Sequence, residues 1–220
     1  AMRPMTDPMI LSFDTSGPHC AAALLRGETV LAHRFEEMAR GQAERLFPLL
    51  KEVLAEGQAS WRDLTAIGVG IGPGNFTGIR ISVSAARGLA LSLDIPAIGV
   101  STLKAQRFGT DGVVVSSVQA GRSGLYVEVF DGGGQTPLHC TLDSLPAMRD
   151  GVQPTCIGAM AAEIADKYAG RTANPAYPLA ISIARVAGPR LALDNPPPAP
   201  LYLKAADAAP SRDAPPVILS

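Results

Sequence analysis

Two short stretches of this chain carry the residue types that could bind a phosphate. Asp14-Thr15-Ser16 ends an apolar run, where a carboxylate can hold a metal-bound phosphate and the hydroxyls can bond its oxygens. The same three residues also suit a turn in which Asp or Ser caps its own backbone. Further on, an apolar run ending in Ile71 passes into Gly72-Pro73-Gly74-Asn75-Phe76-Thr77-Gly78, after which a helical pattern begins. A glycine loop that opens a helix aims unpaired N–H groups at one spot and can cradle an anion. Glycines also let packed elements cross closely, because they reach positive φ and leave space where a side chain would collide. Asp14, Thr15, Ser16, Gly72, Gly74, Asn75 and Thr77 are thus the candidate nucleotide or phosphate-loop residues, with a structural crossing weighed ahead of an anion site.

Stronger chemical signatures are absent. No Gly-Lys-Ser/Thr follows the glycine loop, and Thr77 stands where a dinucleotide fingerprint needs glycine or alanine. His19, His33 and His139 lack the spacing of a helix-borne metal pair, and no Gly-x-Ser-x-Gly elbow occurs. Ser123, in Gly121-Arg122-Ser123-Gly124, has no base in a recognisable pattern, and Glu36, Glu37 and Glu44 read as the solvated side of a helix. Cys20, Cys140 and Cys156 form no CxxC pair and read as small packed residues in a reducing compartment. The expectation is no catalytic residue and no metal site.

At 220 residues and 47% hydrophobic content, the chain can build one large domain or two small ones. No apolar run approaches the roughly 18 residues of a membrane span, and residues 1–8 lack signal-peptide features, so a cytoplasmic protein without membrane contact is expected. A net charge of −1 with no Lys/Arg run, and 5% aromatic content, leave any RNA contact to a partner.

The elements that must hold these residues open with three strands joined by short turns, within residues 9–35, read as an antiparallel meander. A helix over 41–56 follows, complicated by Pro48, then a buried strand over 64–71 and a second helix over 77–93. A strand over 97–100 and a short helix capped by Ser101 or Thr102 complete the first half. Strands over 113–118, 125–130, 136–142 and 154–157, with a helix over 159–168, form the second. The order implies an α/β fold with mixed sheets. The second helix is apolar nearly all round, with Arg80, Ser84 and Arg87 as its one wet stripe, so it needs a cover beyond the sheet. That cover is either the first helix or a partner protein. Leu46, Phe47, Leu50 and Val53 on the first helix, and Ile79, Val83, Ala86 and Ala90 on the second, are the candidate partner-interface residues.

Ile10-Leu11-Ser12-Phe13-Asp14-Thr15-Ser16, Gly72-Pro73-Gly74-Asn75-Phe76-Thr77-Gly78-Ile79-Arg80, Arg87-Gly88-Leu89-Ala90 and Ile98-Gly99-Val100-Ser101-Thr102-Leu103 resemble the bacterial TsaB (YeaZ) family. The strong part covers residues 9–106; Tyr126 and Leu201-Tyr202-Leu203-Lys204 resemble weaker family features. The resemblance implies an actin-like ATPase fold of two lobes, each with a mixed β-sheet and flanking helices. On this chain the expected division is a disordered extension over 1–8, lobes over 9–108 and 109–193, and a Pro-rich linker and tail over 194–220. It further implies a non-catalytic scaffold that pairs with TsaD and, with TsaE, serves transfer of a threonylcarbamoyl group to the adenosine beside the tRNA anticodon. Contact with tRNA would come only through the complex, the same surface would allow a homodimer when TsaD is absent, and no cofactor would be required by this chain, with ATP or ADP at the complex interface as the one candidate. The alternative is an independent ATP-binding kinase or hydrolase of the same fold, using Asp14 and the glycine loop. Three departures stand out: Asn75 replaces the family's usual serine, Gln42 an often-seen histidine, and Gln119-Ala120-Gly121-Arg122 a segment with an aspartate.

Overall fold

The computed structural model describes residues 7–121, 124–133 and 136–203. Strand β1 (Met9–Asp14) is buried along its whole length because it is the middle strand of a five-stranded sheet. Its Met9, Leu11 and Phe13 enter one core and Ile10 enters another on the opposite face, the period-2 alternation of a strand covered on both sides. β2 (His19–Arg26) and β3 (Thr29–Glu37) pair antiparallel beside it, turning at Gly27 with φ +57°. β4 (Ala66–Gly70) and β5 (Ala97–Val100) add in parallel on the other side, giving the order β3-β2-β1-β4-β5.

The two crossovers are helices. α1 (Gln42–Glu56) runs through Pro48, which lies on its exposed side, and buries Leu46, Leu49, Leu50, Val53 and Leu54. α2 (Phe76–Leu93) starts one residue earlier than its periodicity suggests and buries Ile79, Ser82, Val83, Ala86 and Leu89. Its first turn is capped by Asn75, whose side chain accepts from the Gly78 N–H at 2.9 Å, so the residue that departs from the family pattern keeps the capping function. α3 (Thr102–Arg107), capped by Ser101, leads from β5 to the second sheet.

That sheet repeats the design. β6 (Val114–Ala120), β7 (Gly124–Phe130) and β8 (Leu138–Cys140) form a meander, and β9 (Thr155–Gly158) and β10 (Arg171–Thr172) add in parallel with α4 (Ala161–Tyr168) between them. The order β10-β9-β6-β7-β8 is the order of the first sheet with each strand replaced by its counterpart. Two mixed sheets with flanking helices are the actin-like fold implied by the motifs.

One element departs from the sequence reading. α5 (Leu179–Ala187) falls in the segment assigned to the second lobe, yet it packs on β1, β2, β4 and β5 of the first sheet, on the face opposite α1 and α2. Small groups let it approach. Ser12 Oγ donates to the Ala180 carbonyl at 2.7 Å, and a Cβ on Gly68 would lie 3.2 Å from Ile183 Cγ2. The chain then runs back beside the first sheet, with Arg190 Nη1 on the Gly99 carbonyl at 2.7 Å and the Leu201 N–H on the Ile71 carbonyl at 2.8 Å. Pro198 packs against Gly99, so this segment lies beside edge strand β5. The expectations for residues 1–6, Arg122, Ser123, Lys204 and the tail from Ala205 lie outside the described residues.

Glu128 of β7 is opposite Ser116 of β6, whose hydroxyl donates to Gln106 of α3 at 2.8 Å, so the carboxyl faces α3 with Oε2 lacking a hydrogen-bond partner among the described residues. Burial raises its pKa, with Lys104 opposing in part. A carboxyl whose folded pKa is raised holds its proton more tightly when folded, so its contribution to stability is lost as pH rises through the folded value. Glu128→Gln should therefore be more stable than wild type at about pH 8, and the gap should close toward about pH 4, as read by denaturant titration.

Candidate functional site

The structure brings the two phosphate-loop candidates together. The turn after β1 folds over the start of α2, and three glycines make the approach feasible. A Cβ on Gly70 would overlap Asp14 Oδ2, one on Gly74 the Ser16 carbonyl oxygen, and one on Gly78 the Thr15 carbonyl oxygen. Thr15 Oγ1 donates to the Gly78 carbonyl at 2.7 Å, and the Asn75 N–H donates to the Ser16 carbonyl at 2.6 Å. Gly72, at φ +88°, supplies the left-handed backbone of the turn, and its carbonyl accepts from the Thr102 N–H at 2.8 Å. Ser16 Oγ lies 3.4 Å from Thr102 Oγ1.

Asp14 is fully buried at the centre of this crossing. Its Oδ1 accepts from the Ser16 N–H at 2.9 Å and from Ser16 Oγ at 2.9 Å, and pairs with His19 Nε2 at 2.8 Å. The His19 ring rests 5.1 Å from that of Phe35. This Asp14–His19 pair is absent from the sequence reading, since no motif links residues five apart across a turn; the hairpin register of β1 and β2 creates it. The N–H groups of Asn75 and Gly78 are both bonded to acceptors of this chain, which is what a crossing requires. Thr77 is exposed and lines an open cleft of about 450 Å³ with Gly17, Arg40, Gln42, Glu44 and Asn75. Among the described residues no three His, Cys, Asp or Glu side chains are grouped so as to hold a metal ion. Burial pushes Cys20 up to about 12 and Cys156 up to about 11, and raises Cys140 as well.

The partner-interface candidates need correction. Leu46, Leu50, Val53, Ile79, Val83 and Ala86 are core residues of this chain, 3% exposed or less. Ala90 is half-buried, and Phe47, at 42% exposed, is the one candidate free to meet a partner. The most apolar stripe of each helix is the one the sheet demands, so it turns inward. The outward stripe of α2 is Arg80, Ser84, Arg87, Gly88 and Leu91, with Leu91 87% exposed. The signal available in the sequence was Leu91 itself, an apolar residue in line with the wet stripe.

A family model described as "TsaD: tRNA N6-adenosine threonylcarbamoyltransferase" matches residues 30–150, more than half of the chain. The tRNA threonylcarbamoyladenosine biosynthesis protein TsaB of Escherichia coli K12 is 44% identical over 94 residues. The chain belongs to the TsaB/YeaZ family. The E. coli match covers 43% of this chain and 40% of that protein, so it spans less than half the length of either. An uncharacterised protein of Mycobacterium tuberculosis H37Rv is 32% identical over 206 residues, covering 91% of this chain and 94% of that one. YeaZ from Pseudomonas aeruginosa superposes with a TM-score of 0.74 at 24% identity, over 89% of this chain and 100% of that chain, a likeness of fold. In this TsaB/YeaZ chain the motif residues Asp14–Ser16 and Gly72–Gly78 are the two sides of one packed crossing.

Gly78→Ala should destabilise the chain by about 1–3 kcal/mol, the usual penalty for forcing extra atoms into a packed site, measured by chemical denaturation. The three thiols should stay unlabelled by a thiol reagent at about pH 8 until the chain is unfolded, because the thiolate is the reactive form and burial disfavours it.

Proposed function

We propose that this chain is a non-catalytic scaffold in tRNA threonylcarbamoyladenosine biosynthesis, pairing with a TsaD-type subunit through the exposed faces of α1 and α2. The observation that carries the reading is Gly88. It sits inside α2, and a Cβ built there would meet nothing within 4 Å among the described residues. A glycine in a helix interior costs about 0.5–1 kcal/mol relative to alanine. Nothing among the described residues needs its missing side chain, but a second chain approaching α2 closely would. Leu91 stands one turn further on at 87% exposed, and Phe47 on α1 adds a second large apolar side chain. Ile81 and Ala85 are only partly covered on the same helix.

The family membership supports the pathway, and the net charge of −1 supports tRNA contact through the partner. TsaE joins the assembly in this reading, and ATP or ADP is held where the two subunits meet. The same face gives a homodimer when the partner is absent.

The test is reconstitution with the TsaD-type subunit of the same organism. Modification of tRNA should require this chain, and the isolated chain should not turn over Mg-ATP; turnover would favour the kinase or hydrolase alternative. Gly88→Ala should raise the stability of the isolated chain by about 0.5–1 kcal/mol while weakening co-purification with the partner. An unchanged complex with Gly88→Leu would remove the docking face.

A further inference from the structure

Arg80 is held by two aromatic side chains and by no charge among the described residues. Its guanidinium carbon lies 3.8 Å from the centroid of the Phe76 ring, and its Nε donates to the Tyr202 hydroxyl at 2.9 Å. The Phe76 and Tyr202 rings stack on each other at 5.0 Å. The three side chains come from the first turns of α2 and from the returning segment, which the Leu201 N–H ties to the Ile71 carbonyl. Phe76 and Tyr202 remain 40% and 44% exposed. Arg80 forms no ion pair among the described residues, so both terminal Nη groups are unspent. Arg87, seven residues on and on the same face, is likewise without an ion pair, and α2 carries no acidic residue.

We infer that Arg80 is the specificity anchor of the docking face and receives a carboxylate of the partner subunit, an inference that rests on the docking reading above. Aromatic residues and arginine are the types that concentrate binding energy at interfaces. Here they are ordered before any partner arrives, so less side-chain freedom is lost on binding. With Nε committed to Tyr202, Nη1 and Nη2 have no partner among the described residues, and such a fork matches a carboxylate, a geometry lysine cannot offer. A protein carboxylate is favoured over an RNA phosphate by the surroundings. The helix bears only two cations, whereas a polyanion is held by several cations together.

The experiment measures the affinity of the full chain for the purified TsaD-type subunit over a range of salt concentrations. Arg80→Gln should weaken binding about tenfold or more and flatten its salt dependence, and Arg80→Lys should restore only part of the loss. Tyr202→Phe keeps the ring stack, frees Nε, and should weaken binding about threefold. Leu91→Ala should weaken binding with the salt dependence of wild type. Circular dichroism and thermal melting of each variant report that the chain is folded. Absence of binding by wild type would overturn the docking reading and the anchor with it. Binding by Arg80→Gln equal to wild type, with the same salt slope, would overturn the anchor alone. Weaker tRNA binding by the complex carrying Arg80→Gln, with partner affinity unchanged, would assign Arg80 to phosphate and overturn the carboxylate.

Discussion

The rest of the molecule depends on one crossing, in which the turn after β1 lies directly against the first turn of α2. Two carbonyls, of Thr15 and Ser16, and one carboxylate oxygen, of Asp14, occupy the space that side chains at Gly78, Gly74 and Gly70 would fill. The contact is polar, with Asn75 and Thr15 each spending a hydrogen bond across it, while Asp14 Oδ2 is buried without a partner among the described residues. Buried polar groups are costly unless paired, so this arrangement has few alternatives once the strands are in register. It fixes where α2 begins and hence which stripe of that helix turns outward.

From the crossing follows the division of labour between the two faces of the first sheet. α1 and α2 cover one face with leucine, isoleucine and valine, and each such side chain contributes about 1.5–3 kcal/mol when fully buried. α5 covers the other with alanine, serine and isoleucine against Gly68 and Ser12. Since the inward stripe of α2 is consumed by this packing, any partner meets the stripe of Arg80, Ser84, Gly88 and Leu91 instead. The glycine that the core leaves unexplained and the arginine that no charge among the described residues satisfies lie on that stripe together.

Much of this was legible in the chain itself. Alternation and turn spacing gave the meander, the helical periods gave α1 and α2, and the motifs at Asp14–Ser16, Gly72–Arg80 and Ile98–Leu103 carried the family. The second half follows the first in strand-then-helix order without a repeat of sequence, and the structure gives the two halves the same sheet topology. The candidate interface was misread for a physical reason: amphipathicity reports which residues leave water, and Ile79 or Val83 leave it just as well against their own sheet as against a partner.

The sequence by itself determined the element order, the fold and the residues of the glycine turn, because local periodicity, turn chemistry and short motifs are properties of neighbours along the chain. Only the tertiary structure decided that Gly70, Gly74 and Gly78 lie against oxygens of the Asp14–Ser16 turn, that His19 meets Asp14, that α5 returns to the first sheet, and that Tyr202 clamps Arg80. Each of these joins residues through a register or a return of the chain, with separations from five to 168 positions. No local pattern encodes such a meeting, since it arises only when the sheets and helices have packed.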